Sequence, residues 1–118
     1  MLKDGTPYLV TGSPGGSTII TVVLQEILNV LAFNMNIAEA TAAPRIHHQW
    51  QPDTLISERG VSDDTLRILE GRGFILPKNP DGSFQHRVMG RANSIMRAGG
   101  LFLGAADTRD GDGAAIGF

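Results

Sequence analysis

The 118-residue chain has no cysteine. That excludes a disulfide framework, a thiolate metal site and a cysteine nucleophile, and it leaves the redox compartment open, because an oxidising space does not require disulfides. Aromatics are scarce, with five Phe, one Tyr and one Trp, and neither charge sign dominates: 10 Lys and Arg against 12 Asp and Glu give a formal net charge of -2. Without a basic stripe, and with few rings to stack on bases, nucleic acid is not an expected partner. The longest apolar stretch, residues 19–33, is interrupted by Thr21, Gln25, Glu26 and Asn29. It falls short of the roughly 18 uninterrupted apolar residues of a membrane span. It reads as a buried helix, and no membrane partner is expected. The opening MLKDGTPYLV has no long apolar core and no small-residue cleavage site, so an export signal, if there is one, is expected upstream.

What is present is an ordinary globular composition, 42% apolar and 19% charged, which points to one folded domain over residues 1–118 rather than a disordered chain. Along the sequence, a turn at Lys3-Asp4-Gly5 leads to a short strand over 7–11. A glycine-rich loop follows at 12–16, and then a helix over 18–34 with Ser17 as its N-cap. Apolar residues occupy most of that helix's circumference, so it needs covering on more than one side. A short helix over 37–43 ends before Pro44. A strand over 54–58, a helix over 65–70 with an acidic start at Ser62-Asp63-Asp64, and a strand over 74–76 come next. Three apolar runs, 93–97, 101–105 and 114–118, read as a β-meander. Helices covering an antiparallel sheet define an α+β fold, and one helix layer on one sheet suggests part of a larger sandwich.

The loop TGSPGGS, residues 11–17, is the most informative local feature. Consecutive glycines bring backbone N–H groups close to a ligand, and the following helix start adds positive potential, so such a loop suits an anion or a developing oxyanion. It is neither G-x-G-x-x-G nor a P-loop, since no Lys opens the helix. From the residues alone, tight geometry between strand and helix is the favoured reading of Gly15 and Gly16.

The stretch TGSPGGSTIITVVLQEILNVLAFNMNIAEATAAPRIHHQW, residues 11–50, resembles the gamma-glutamyltransferase family, also called gamma-glutamyl transpeptidases. In that family a serine-proline-glycine-glycine loop precedes a long helix and then an alanine-proline-arginine, histidine-histidine-glutamine-tryptophan run. The similarity continues through Pro52-Asp53-Thr54-Leu55 and residues 62–73, and more weakly through Asn93-Ser94-Ile95-Met96, Gly104-Ala105-Ala106-Asp107 and Arg109. The resemblance implies an αββα N-terminal nucleophile hydrolase sandwich, made as a precursor that cleaves itself into a large and a small subunit. A threonine at the new N-terminus attacks the gamma-glutamyl amide of glutathione or a related compound, and the acyl group passes to water, an amino acid or a peptide. The chain corresponds to the C-terminal part of the small subunit, with Gly15 and Gly16 as the oxyanion hole and no cofactor. Its implied partners are the remainder of the small subunit and the large subunit, and its implied location is periplasmic or secreted.

Two departures qualify the resemblance. The family's nucleophile, its residues for the donor's α-amino and α-carboxylate groups and its paired serines lie upstream of the glycine loop. Thr6 and Thr11 do not substitute, because neither begins the chain and an N-terminal nucleophile uses its own α-amine as base. Ala106, Thr108 and Phe118 replace residues common in relatives near the C-terminus. This chain alone is therefore expected to be inactive and prone to self-association through uncovered apolar surface. The alternative is a free-standing binding module that reuses the fold, which predicts a polar exposed face.

Other residues invite chemistry without completing it. His47 and His48 are adjacent, so on an extended segment they point to opposite sides, and with His86 they form no spaced metal set; hydrogen-bonded histidines packed with Trp50 are expected instead. Ser13 or Ser17 with His47 and Asp53 lacks a nucleophile elbow. Asp107, Asp110 and Asp112 resemble half a calcium loop without its closing Glu, and a solvated turn is expected. Arg45 is expected in a buried ion pair.

Overall fold

The computed structural model describes residues 1–109, 111 and 113–117. In chain order its elements are β1 (Leu2–Lys3), β2 (Thr6–Pro7), β3 (Leu9–Gly12), a 3₁₀ turn (Gly16–Thr18), α1 (Ile19–Leu31), α2 (Ile37–Ala42), β4 (Ile46–His47), β5 (Ile56–Ser57), α3 (Asp63–Gly71), β6 (Asn93–Ala98) and β7 (Leu101–Ala106). They fall into two compact units, Met1–Ala43 with Gly90–Phe118, and Pro44–Met89.

The first unit is built on an antiparallel sheet in the order β3-β6-β7, with Leu9 opposite Met96 and Ser94 opposite both Thr11 and Ala105. Side chains alternate across a strand, so Leu9, Thr11, Ser94, Met96 and Ala105 share one face. That face packs on α1 and α2, where Leu9, Met96 and Ala105 join Val30, Ile37 and Ala40 in the core. Val10, Ile95 and Phe102 stand on the other face and are exposed. Asn36 and Glu39 close a capping box that starts α2: each side chain accepts from the other residue's backbone N–H. Arg109 closes its far end, donating to the carbonyls of Thr41 at 2.9 Å and Ala43 at 2.7 Å, where a cation suits the helix dipole.

Only one stripe of α1 is buried: Val22, Glu26 and Val30, four residues apart. Ile20, Leu24, Leu28 and Leu31 are exposed, Ile20 at 76%. The reading of residues 19–33 as a buried helix is met only along that stripe. Among the described residues no helix is long and apolar enough to cross a membrane.

The second unit pairs β4 with β5 and gathers Leu55, Leu66, Leu76 and Phe84 into its own small core. Ser62 caps α3, its Oγ accepting from the Thr65 N–H at 3.3 Å, and Asp63 and Asp64 sit in the first turn.

Four expectations are corrected. Ser17 is not an N-cap: it lies inside the 3₁₀ turn, and Thr18 stands at the cap position of α1 with helical φ and ψ and no side-chain cap bond, because the glycine loop runs directly into helical turns. Residues 74–76 form no strand. Leu76 is buried, but in place of a ladder the segment has the Leu55 N–H to Ile75 carbonyl bond at 2.8 Å and the Phe74 N–H bond back to the Leu69 carbonyl at 3.2 Å. Residues 114–117 are not a strand either, so the meander stops at the β6-β7 hairpin; Phe118 lies outside the described residues. Trp50 does not pack with the histidines: it is 77% exposed, and His48 meets Phe74 edge-on at 5.9 Å instead.

Candidate active site

β3 delivers the chain into the loop Ser13-Pro14-Gly15-Gly16, and the 3₁₀ turn carries it into α1. Gly15 has φ 142° and ψ 14° and Gly16 has φ 58°, regions that residues with a Cβ rarely enter. The constraint at Gly15 is also steric: a Cβ there would stand 2.5 Å from Thr18 Oγ1. The small ψ of Gly15 puts its own nitrogen and that of Gly16 on the same side of the intervening bond. Among the described residues neither N–H meets an acceptor, and both glycines are exposed. Two adjacent, unspent backbone donors at a helix start are an arrangement that suits an anion.

The loop is braced from several directions. Thr18 donates to the Gly15 carbonyl through both Oγ1, at 2.8 Å, and its backbone N–H, at 3.1 Å. Ser13 Oγ donates to the Pro14 carbonyl at 2.8 Å and accepts from the Arg91 N–H at 2.9 Å. Gly90, with φ 64°, passes directly beneath.

Below the loop lies a polar centre that sequence reasoning missed. Glu26 is 1% exposed. One carboxylate oxygen accepts from Thr11 Oγ1 at 2.7 Å, the other from Thr41 Oγ1 at 2.7 Å and from Ser94 Oγ. Ser94 also reaches Thr11 Oγ1 at 2.8 Å. These bonds tie β3 and β6 to both helices just before the chain turns into the glycine loop. The signal was in the spacing. Glu26 stands four residues from Val22 and four from Val30, on the stripe that is buried.

The remaining candidates are placed by their partners. His47 is buried and pairs through Nε2 with Gln49 Oε1 at 2.9 Å, His48 with Asp53 at 3.0 Å, and His86 with Ser57 Oγ at 3.2 Å. Asp53 thus serves His48 and not His47, so the His47 and Asp53 pair that a serine triad needs is not formed among the described residues. Among the described residues no three acidic or histidine side chains gather as a metal set. Asp107 spends its carboxylate on structure, accepting from the Ala92 N–H at 2.9 Å and from Arg109 Nη1 at 2.8 Å. Asp110 and Asp112 lie outside the described residues. Arg45 is buried and donates through Nη1 to the Met89 carbonyl at 2.8 Å, while its backbone N–H donates to Glu58 Oε2 at 3.0 Å.

Helices layered on one face of an antiparallel sheet place the chain in the α+β class, with the N-terminal nucleophile hydrolase sandwich as its parent architecture. The gamma-glutamyltranspeptidase family model matches residues 1–117, and the chain belongs to that family. It is 46% identical over 119 residues to the glutathione hydrolase proenzyme of Escherichia coli (strain K12), a match covering 100% of this chain and 19% of that protein. Its structure is similar to the Helicobacter pylori gamma-glutamyltranspeptidase T380A mutant, with TM-score 0.80 and 43% identity over 93% of this chain and 58% of the other. It is also similar to the Pseudomonas nitroreducens gamma-glutamyltranspeptidase complexed with L-DON, with TM-score 0.81 and 31% identity over 100% of this chain and 58% of that one. The chain thus spans about a fifth of the length of the curated E. coli relative.

Proposed function

We propose that this chain is the C-terminal part of the small subunit of an enzyme that cleaves gamma-glutamyl amides, glutathione among them, and passes the acyl group to water, an amino acid or a peptide. Its own contribution is the Gly15 and Gly16 N–H pair. When a nucleophile supplied by another part of the longer protein attacks the amide carbonyl, the oxygen gains negative charge, and two prealigned donors hold it. A donor of this kind contributes about 3 kcal/mol of transition-state stabilisation. The observation that carries the reading is that both N–H groups stand side by side, exposed and unspent, on a loop whose backbone only glycine enters easily.

The partners on this reading are the rest of the small subunit and the large subunit. Apolar surface supports it: Ile20 and Leu24 on α1, and Val10, Ile95 and Phe102 on the outer face of the sheet, are exposed. A free-standing module would be expected to present polar side chains there. The proposed location is outside the cytoplasm, by likeness to the family.

The test is hydrolysis of a chromogenic gamma-glutamyl anilide by the full-length protein and by the 118-residue chain. The full-length protein is expected to turn over and the chain alone is not. A Gly15→Ala variant of the full-length protein loses about 10²- to 10³-fold in kcat. Turnover by the isolated chain, or full activity in Gly15→Ala, contradicts the reading.

A further inference from the structure

The donors of the glycine loop belong to two peptide planes, Pro14–Gly15 and Gly15–Gly16, and with glycine on the flanks these planes turn easily. Both peptides are trans, so each carbonyl points opposite to the N–H of the residue that follows it. Whatever holds the Pro14 carbonyl therefore aims the Gly15 N–H, and whatever holds the Gly15 carbonyl aims the Gly16 N–H.

A hydroxyl holds each of them, and at Gly15 the Thr18 backbone N–H adds a second bond at 3.1 Å. Ser13 Oγ donates to the Pro14 carbonyl at 2.8 Å, and Thr18 Oγ1 donates to the Gly15 carbonyl at 2.8 Å. Each hydroxyl is itself constrained. The Arg91 N–H donates to Ser13 Oγ at 2.9 Å, which occupies the oxygen as an acceptor and leaves its single proton for Pro14. Gly90 makes the room: a Cβ there would stand 2.4 Å from Ser13 Oγ and 3.2 Å from the Pro14 carbonyl oxygen. Thr18 is 8% exposed, with its side chain enclosed at the foot of α1. Both hydroxyls thus lie behind the peptide planes, on the carbonyl side, opposite to the side that the donors face.

We propose that Ser13 and Thr18 are positioning residues that aim the Gly15 and Gly16 N–H groups at the developing oxyanion, each by fixing the carbonyl of the peptide that carries the donor. The proposal rests on the reading of these two donors given under Proposed function. Neither hydroxyl touches the reacting atoms, and neither serves as a nucleophile or as a helix cap.

The experiment uses the full-length protein with Ser13→Ala, Thr18→Val and Thr18→Ser. It measures steady-state hydrolysis of a gamma-glutamyl anilide per mole of processed enzyme, together with the melting temperature. Loss of a whole donor costs about 10²- to 10³-fold in kcat. A donor that remains but turns away loses part of that, and the Thr18 N–H still holds the Gly15 carbonyl from one side, so Thr18→Val is expected to fall about 10-fold in kcat with KM within about threefold. Ser13→Ala is expected to fall about 10-fold, part of what a lost donor costs. Thr18→Ser keeps the hydroxyl and is expected within about threefold of the parent. If Thr18→Val does not fold, the Ser13→Ala result decides. Folded variants with unchanged kcat overturn the proposal. So does a loss confined to KM, or a Thr18→Ser enzyme as slow as Thr18→Val. Gly15→Ala separates the two levels: if it is impaired while the hydroxyl variants are not, the donors stand and their aiming by Ser13 and Thr18 fails. If Gly15→Ala is unimpaired, the reading of the donors fails first.

Discussion

Glu26 supports a prediction that runs against the usual expectation for a buried carboxylate. Five short contacts surround it: Thr11 to Glu26 and Thr41 to Glu26 at 2.7 Å each, Ser94 to Glu26, Ser94 to Thr11 at 2.8 Å, and Thr41 to the Ile37 carbonyl at 2.8 Å. Every one joins oxygen to oxygen, and the three hydroxyls bring one proton each. Glu26→Gln adds two. With its amide nitrogen in place of Oε1, the two N–H groups point at Ser94 Oγ and Thr41 Oγ1. Ser94 then donates to Thr11, Thr11 to the amide oxygen, and Thr41 to Ile37, so each contact has one donor and one acceptor. Glu26→Gln is expected to leave stability within about 1 kcal/mol of the parent. Glu26→Ala is different. The Ser94 to Thr11 and Thr41 to Ile37 bonds survive, but the Thr11 proton loses its acceptor, at about 1 to 3 kcal/mol. One buried methylene goes with the carboxylate, at about 0.8 kcal/mol, and the cavity adds to that. About 3 to 5 kcal/mol is the expected total. Amide hydrogen exchange at β3 and β6 of the full-length protein reads this locally. At about 1.4 kcal/mol per tenfold, Glu26→Ala speeds exchange about 10²- to 10³-fold, and Glu26→Gln by less than about tenfold. Equal damage from both variants would refute the proton count, and equal tolerance would mean that the network contributes no stability.

Gly90→Ala places a methyl 2.4 Å from Ser13 Oγ and 3.1 Å from Val22 Cγ2 at a positive φ. It is expected to cost about 1 to 3 kcal/mol in urea unfolding and to lower kcat as Ser13→Ala does. Arg109→Ala strips Asp107, whose side chain is 2% exposed, of its cation and uncaps α2. A loss of about 3 kcal/mol is expected in the same assay, and a change below about 0.5 kcal/mol would contradict it. The Asp81 carboxyl is held below the usual carboxylate range, first by the Ser83 hydroxyl and then by the Ser83 amide. A depressed carboxyl adds stability above its unfolded value and loses it as pH falls through the folded one. Ser83→Ala is therefore expected to move the Asp81 midpoint upward in an NMR titration, and because Asp81 is fully exposed the unfolding curve barely moves. The isolated 118-residue chain is expected to self-associate in analytical ultracentrifugation through the exposed side of α1 and the outer sheet face, whereas a clean monomer would contradict the uncovered-surface account.

Much of the local plan was legible in the residues, for identifiable reasons. The acidic start at Ser62-Asp63-Asp64 precedes α3 and Pro44 follows α2, so both helices follow from start and stop chemistry. The β6-β7 hairpin follows from two apolar runs around Gly99-Gly100. The glycine loop stood out because consecutive glycines between a strand and a helix serve either tight geometry or the close approach of N–H groups to a ligand. What escaped depends on contacts distant in sequence. Residues 74–76 look like a strand, but a strand exists only where a partner completes its ladder, and Leu55 supplies a single bond. Glu26 looked like an interruption in an apolar run, because its three hydroxyl partners come from positions 15 residues away on either side and 68 residues away. Ser17 was an attractive cap by residue type, but the positive φ values of Gly15 and Gly16 already set the chain into a helical turn before it. Gly90 gave no signal at all, since its importance lies in a loop 75 residues earlier.

The most direct test of the account is a crystal structure of the full-length protein bound to a gamma-glutamyl phosphonate or boronate, whose tetrahedral centre imitates the adduct. The account predicts one oxygen of that centre about 2.7 to 3.1 Å from both the Gly15 and Gly16 nitrogens, with the Ser13 to Pro14 and Thr18 to Gly15 bonds intact behind them. An oxygen held by other groups, with the two glycine N–H groups still unspent, would contradict it.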